Sequence, residues 1–294
     1  MNQAPDQPTR LFDEVVVNAP TESIREEHRY FERDGKQLFC AEYVPTTPSA
    51  AGVVLCAPFA EEKIRSLRVY VSLARALATN GVAALLFDYY GDGDSEGDFE
   101  EASFEDRIRD IRAVYEDFGR HHNLNKVGLL GLRWGGTLAA IMADELRPSA
   151  LVLWEPVIDT SKYFFDHLRS YLASQMLIEG KITRKREELV EALEKGETLT
   201  VEGYNLTGTF FAAAREHGLV DFAPKFGGPT LVVQLAGAPT RIRPELEQLT
   251  ASYTDGKLEA MRREFEWEKT ERWRPAPAEL FNLTLDFLRT HELF

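Results

Sequence analysis

The sequence predicts an α/β fold in which a mostly parallel, eight-stranded sheet is flanked by helices. Three observations lead there. Continuous apolar runs of strand length alternate with amphipathic segments of helix length, and a strand apolar on both faces is one that helices cover from both sides. The run Val127-Gly-Leu-Leu-Gly131-Leu-Arg133-Trp134-Gly135-Gly136 passes straight into the small-residue pattern Thr137-Leu-Ala-Ala, the layout of a sharp strand-to-helix turn. The alternation breaks off from about Asp159 to Pro224 and then resumes, which marks an insertion.

Taken in order, residues 1–20 are polar, carry three prolines and show no period, so a flexible arm is expected. Arg25–Glu32 and Gln37–Val44 alternate in polarity around Asp34-Gly35, a hairpin signal. Val53–Ala57 is a buried strand ended by Pro58, and Phe59-Ala60-Glu61-Glu62-Lys63 is expected to be a loop before a helix over Ser66–Thr79. That helix closes at Asn80-Gly81. Val82–Phe87 is the next strand, and the amphipathic helix Phe104–His121 follows the polar turn Asp88–Gly97.

Val127–Leu130 then leads through the glycine-rich turn to a helix ending near Leu146, and Leu151–Trp154 is the next buried strand, ending at Glu155-Pro156. Residues 159–224 carry helical patterns, the basic cluster Lys181–Arg186 and a short strand-like piece at Thr198–Tyr204. They read as a helical cap inserted after strand 6. Alternation returns with a strand over Thr230–Leu235, a helix over Pro244–Tyr253, a strand over Met261–Trp267 and a last helix over Ala278–His291. The core is thus expected over 21–158 and 225–294, with right-handed crossovers.

Composition removes several function classes. The chain has 294 residues with 44% hydrophobic and 28% charged, an ordinary balance for a folded chain. Its 34 basic and 48 acidic residues give a net charge of −14, which repels phosphate backbones and makes nucleic acid an unsuitable partner. No apolar stretch approaches the ~20 residues that cross a bilayer. The start has neither a basic region nor an apolar core, so no signal peptide is read. Cys40 and Cys56 both sit in apolar strand-like runs and are read as buried free thiols of a cytoplasmic protein, in preference to a disulfide.

The Gly-x-Arg-x-Gly-Gly turn has the layout of a nucleophile elbow, which presents one side chain between a buried strand and a helix. Together with Asp88-Tyr-Tyr-Gly-Asp-Gly-Asp-Ser95-Glu-Gly97, similar to the D-x-x-G-x-G-x-S-x-G of the α/β-hydrolase superfamily, it makes nearly the whole chain resemble that superfamily. More narrowly, Ala57-Pro-Phe-Ala-Glu-Glu62, the Arg133 elbow, Leu153-Trp-Glu-Pro-Val157 and Gly203-Tyr-Asn-Leu206 resemble bacterial hydrolase-like proteins associated with exosortase and exopolysaccharide gene clusters. That resemblance implies a place in exopolysaccharide biosynthesis.

Acyl transfer on this layout needs a nucleophile at the elbow, an acid after a late strand and a His after the last strand. The elbow holds Arg133, which stays protonated and offers no lone pair. Ala236-Gly-Ala-Pro-Thr240 contains no carboxylate, and Glu268–Arg274 contains no His. The other candidates have plainer readings. His121-His122 ends a helix, where imidazole suits the negative terminus; His28, His217 and His291 read as surface residues. His167 alone could overhang a site from the cap. Ser95 reads as structural and Cys56 as an apolar strand residue.

A cation at a helix N-terminus faces the positive end of the dipole, which costs ~0.3–1 kcal/mol, so Arg133 needs an anion. Glu61, Glu62, Asp92 and Glu155 all lie at strand C-terminal ends, where ligands bind on such sheets. In one reading a carboxylate, Glu155 or Glu62, pairs with Arg133 and plugs the pocket. In the other, Arg133 with the backbone N–H groups of Trp134 and the Phe59–Ala60 turn holds a carboxylate or phosphate of a ligand. Trp134, Phe59, Tyr89 and Trp273 could supply walls for such a ligand, or pack under the cap.

Asp92-x-Asp94-x-Glu96-Gly97 resembles the start of a calcium loop, but Ser103 stands where a bidentate Glu is needed; no metal and no cofactor are expected. The functional expectation is a non-hydrolytic accessory or binding protein for an anionic acyl or sugar metabolite. The alternatives are a hydrolase or acyltransferase of the esterase or thioesterase class with Glu62 or Glu155 as acid/base, and a structural partner whose cap or arm makes a homodimer.

Overall fold

The computed structural model describes residues 23–179, 184–236, 241–262 and 277–294. The expected N-terminal arm lies outside them. β1 (Ile24–Arg33) and β2 (Lys36–Pro45) form an antiparallel hairpin. Asp34 and Gly35 take φ of 51° and 79°, the doubly positive pair that matches a hairpin's twist. β3 (Ala51–Cys56), α1 (Glu61–Thr79), β4 (Ala83–Phe87), α2 (Phe104–His121), β5 (Lys126–Leu132), α3 (Trp134–Leu146) and β6 (Leu151–Trp154) follow.

Between β6 and the next strand of the sheet lie α4 (Thr160–Glu179), α5 (Arg186–Glu194), the hairpin β7 (Leu199–Val201) with β8 (Tyr204–Leu206), and α6 (Gly208–Glu216). The strand-like piece is thus half of a small hairpin around Glu202-Gly203, which has positive φ at both residues. β9 (Pro229–Ala236), α7 (Pro244–Ser252), β10 (Asp255–Arg262) and α8 (Ala278–Thr290) close the described chain. The sheet is eight-stranded in the order β1-β2-β4-β3-β5-β6-β9-β10. From β4 to β10 every neighbouring pair is parallel.

The central strands alternate between two cores, as a period of two requires. Val54, Leu85, Leu129, Leu153 and Val232 face one side with Phe118, Leu138 and Phe164. Val53, Leu86, Leu130, Val152 and Val233 face the other with Leu73, Leu77, Phe281 and Leu285. Cys40 and Cys56 are free and buried, one on each of β2 and β3, and burial pushes both thiols up to about 12.

Two boundaries differ from the sequence reading. α1 starts at Glu61, five residues before Ser66, because the Phe59–Ala60 turn already closes its first hydrogen bonds, Glu62 N to Phe59 O at 3.1 Å and Lys63 N to Ala60 O at 3.0 Å. The polar Glu61-Glu62 pair suggested a loop, yet an acidic first turn suits a helix N-terminus. The last strand among the described residues is Asp255–Arg262, with Asp255 opposite Pro229 and Arg262 opposite Ala236; it begins six residues before Met261, and residues 263–267 of the expected strand lie outside the described residues. It is an edge strand held by ladder bonds to β9, and only Leu258 and Met261 pack against the cores, so it lacks the continuous apolar run of a central strand. Residues 263–276, with the expected Glu268–Arg274 turn, lie outside the described residues.

The hairpin is tied to α2 by charge. Ser103 caps α2 in a capping box with Asp106, and Asp106 accepts from Arg33 and Lys36 at 3.0 Å each. Burial alone would raise the Asp106 carboxyl, but the Ser103 N–H and the two cations hold it well below the usual range. A carboxyl so depressed stabilises the fold above its unfolded pKa of ~4, and the contribution fades as pH falls through the folded value. Asp106→Asn is therefore expected to lower the urea midpoint at neutral pH, with the gap to the parent narrowing below pH ~4; a gap independent of pH would refute the linkage. At the elbow, a Cβ on Gly135 would stand 2.2 Å from the Cys56 carbonyl oxygen and 2.5 Å from that of Ala57. Gly135→Ala forces backbone apart and is expected to cost at least ~1–3 kcal/mol in chemical unfolding.

Candidate functional site

The site is built where β3, β5, β6 and β9 end. Arg133 follows β5 directly and is the N-cap of α3, with φ 54° and ψ −125°. That pair lies outside the broad allowed regions of a residue with a side chain. Its neighbours hold it there: Arg133 N donates to Trp154 O at 2.9 Å, and Gly136 N and Thr137 N donate to Arg133 O at 2.9 and 3.2 Å. Gly131 allows the turn, since a Cβ there would stand 2.3 Å from the Gly135 carbonyl oxygen. Ala60 has almost the same conformation at the start of α1, φ 49° and ψ −126°, and Glu155 after β6 also has φ 49°.

Arg133 Nε donates to Glu62 Oε1 at 3.2 Å, and the Tyr163 hydroxyl donates to Glu62 Oε2 at 2.7 Å. The Arg133 guanidinium carbon lies 5.4 Å from the centre of the Tyr163 ring, a cation–π distance. Burial pulls the Arg133 pKa down, but Glu62, Tyr163 and Glu155 carry it above its ordinary value, so the cation is secure. Burial and the Glu62 carboxylate likewise push the Tyr163 phenol far up, which keeps it a hydrogen-bond donor. Glu62 sits in the first turn of α1, so the dipole of α1 and the Arg133 charge hold it from two sides.

The remaining expected residues divide. Glu155 is buried beside the pair, but its own bonds go to Leu235 N at 2.7 Å and to Arg243 Nη2 at 2.5 Å. Burial raises its carboxyl above the ordinary value, against the pull of Arg243, the Leu235 N–H and Arg133. Asp92 turns away to Lys63 Nζ at 3.2 Å, which Asp88 also binds at 2.6 Å. Glu61 pairs with Arg65 on the helix surface at 3.4 Å. The carboxylate that meets Arg133 is thus Glu62, with Glu155 as a close but separately paired neighbour.

Phe59 and Trp134 are fully packed. The Phe59 ring lies 5.5 Å from Trp134, 5.1 Å from Phe164, 5.3 Å from His167 and 5.7 Å from Phe210, centre to centre. Phe164, His167 and Phe210 come from α4 and α6, so the inserted segment fills the space over the Phe59 turn. His167 belongs to this packing, with Nδ1 3.8 Å from Glu202 and no nucleophile at the elbow to serve.

Open space lies on the other side. A cleft of about 660 Å³ is bordered by Arg133, by Val157–Asp166 at the start of α4, by Leu219–Phe222 and by α7. Lys162, Tyr163 and Arg243 join Arg133 on its walls, and Asp159, Asp166, Asp221 and Glu245 line it as well. Lys162 pairs with Asp166 at 2.6 Å. Sequence reasoning missed Tyr163, Lys162 and Arg243. Tyr163 and Lys162 belong to a helix with no motif, and Arg243 follows a turn whose sequence seemed merely to lack an acid; only the packing of α4 and α7 brings them to the elbow.

The family described as serine aminopeptidase, S33, has a model that matches residues 63–200. A search of curated proteins finds no match. Among solved structures, the chain is similar to Est1E of Butyrivibrio proteoclasticus with ferulic acid bound, at 18% identity and a TM-score of 0.65 over 90% of this chain and 98% of that one. It is also similar to an esterase of Pyrococcus furiosus, at 13% identity and 0.62 over 97% and 96%. A third is mouse alpha/beta hydrolase domain-containing protein 10, at 15% and 0.60 over 90% and 99%. The fold is the α/β-hydrolase fold. No helix among the described residues is long and apolar enough to cross a membrane.

Removing one partner of a fully buried pair costs ~3–5 kcal/mol. With side chains 22% and 12% exposed, Glu62→Gln is expected to lose about 1–3 kcal/mol by urea unfolding. Arg133→Met added to Glu62→Gln should recover part of that loss. Strict additivity of the two single changes would show that the pair is not coupled.

Proposed function

We propose that this chain is a non-hydrolytic binding or accessory protein that holds an anionic acyl or sugar metabolite at Arg133, with residues 159–224 as its cap. One observation carries the reading: the strained turn between β5 and α3 presents a guanidinium, at the edge of an open cleft, where a hydrolase presents its nucleophile. Glu62 and Tyr163 fix the guanidinium from the core side, so its orientation does not have to be organised when a ligand arrives. Lys162 and Arg243 stand along the same cleft, among Asp159, Asp166, Asp221 and Glu245. A carboxylate or phosphate seated there meets charge-assisted donors, and Arg suits such planar acceptors better than Lys does. The resemblance of the Arg133 elbow and of Leu153–Val157 to proteins associated with exosortase and exopolysaccharide gene clusters supports an intermediate of exopolysaccharide biosynthesis as the metabolite.

A second reading has its own observation. The similar structures include one from an esterase, and Glu62 and Arg133, paired at 3.2 Å, put a carboxylate that could serve as base beside a cation that could serve an oxyanion. In that reading the chain is an esterase, thioesterase or acyltransferase with non-standard residues. Turnover of an ester or thioester that disappears in Glu62→Gln would establish it.

The test of the first reading is a thermal-shift screen of small carboxylates and phosphates, followed by calorimetric titration. Arg133→Lys keeps a charge opposite Glu62 and loses the planar fork. It is expected to weaken binding roughly 10–100-fold, the worth of about 1.5–3 kcal/mol for hydrogen bonds to a charged group. Acidic ligands that bind Arg133→Lys and Arg133→Ala as tightly as the parent would exclude Arg133 as the anchor.

A further inference from the structure

At the C-terminal end of α2 a second group of ionisable side chains meets. Glu42 lies in β2 with its carboxylate fully buried. Its Oε1 accepts from Arg29 Nε at 2.7 Å, and its Oε2 is 2.7 Å from His122 Nε2. His121 stands beside His122 with ring centres 4.7 Å apart. One donor atom each from Glu42, His121 and His122 lies within 4.8 Å of the others.

We propose that Glu42, His121 and His122 form a binding site for a divalent transition-metal ion of the zinc type. Two imidazoles and one carboxylate are a ligand set zinc favours, with a fourth position left for water. Tetrahedral ligands at ordinary zinc distances lie ~3.3 Å apart, so the trio closes by a shift of the His121 ring, which is exposed. The ion would take the place of the proton shared between His122 Nε2 and Glu42 Oε2. Arg29 keeps its hold on the other oxygen and is itself paired with Asp117, so the carboxylate is oriented from behind as bound carboxylates commonly are.

The electrostatics favour a cation there. With both imidazoles neutral, Glu42 and Asp117 outweigh Arg29 by one negative charge. His121 is the last residue of α2 and His122 its C-cap, at the negative end of the helix dipole. A surface cleft of about 500 Å³ that His122 lines gives an ion an approach. A helix end needs one capping imidazole at most; the second, placed alongside over a buried carboxylate, is what a metal site adds.

The experiment is calorimetric titration of the full chain with Zn²⁺, and of Co²⁺ with its visible absorption recorded. The expected result is one equivalent of Zn²⁺, a Co²⁺ spectrum of four-coordinate type, and a rise in unfolding temperature that EDTA reverses. His121→Ala removes an exposed side chain and leaves Glu42, Arg29 and His122 in place, so the fold is kept. It is expected to weaken Zn²⁺ binding by roughly 10–100-fold or more. Absence of Zn²⁺ binding in the parent chain, or equal binding by His121→Ala, overturns the proposal; the second result would place the ion elsewhere on an acidic surface.

Discussion

The Arg133–Glu62 pair is the contact on which the upper half of this molecule depends. A cation forced onto the N-terminus of α3 works against that helix's dipole, and it sits in a conformation that backbone sterics disfavour. Both costs are met locally. Glu62 comes from the first turn of α1, where a negative charge is welcome, and Tyr163 reaches down from α4 to satisfy the second carboxylate oxygen. One ion pair thereby joins the end of β5, the start of α1 and the inserted segment. The pair is worth little as net stabilisation, since desolvation takes back most of the attraction. Its value is positional: it sets where a fixed positive charge meets solvent.

The two sides of the elbow differ in character. Phe164, His167 and Phe210 occupy the room over Phe59 and Trp134, so the turn expected to hold a ligand is packed with protein. The cleft beyond Tyr163 has the opposite character, with Lys162, Arg243 and several carboxylates on its walls. Glu155 shows a contrast of its own. It stands near Arg133, yet Arg243 and the Leu235 N–H hold it, and the salt bridge links the end of β6 to the start of α7. Glu155 thus offsets the charge of Arg243, which it binds, and also acts on Arg133.

Most of the fold was legible in the sequence because burial on both faces leaves an unbroken apolar run. β3, β4 and β6 are buried throughout, and the glycines of the elbow answer to backbone contacts that no side chain could share. Two boundaries were not legible for equally physical reasons. The acidic start of α1 looks like a loop until the Phe59–Ala60 turn is seen to cap it. β10 is an edge strand whose stability comes from its ladder with β9, a term that side-chain patterning does not report. In the site, the sequence could nominate four carboxylates for Arg133 but not choose among them. That choice rests on the direction of α1, which carries Glu62 inward, turns Glu61 to Arg65, and places Lys63 between Asp88 and Asp92. Tyr163 and Arg243 were invisible because their partners are distant in the chain.

The strain at the strand ends bears on whether the site is a relic. Ala60, Arg133 and Glu155 all have φ near 50° without being glycine, at a typical cost of ~1–3 kcal/mol for each such residue. Strain alone can be inherited from a scaffold. Ala60, with no functional side chain, fits that description, and so does any residue that merely caps a helix. Arg133 and Glu155 do not, because a glycine at either position would relax the backbone and remove a buried charge in the same step. Each charge instead has a partner, and the partners come from α1 and α7, which owe nothing to the turn itself. Two strained, charged residues at neighbouring strand ends, each with its own counter-ion, are more than helix capping asks for. The proposed anion-binding role gives that arrangement a use: Arg133 is the cation held by Glu62, and Arg243 is a second cation tied to Glu155.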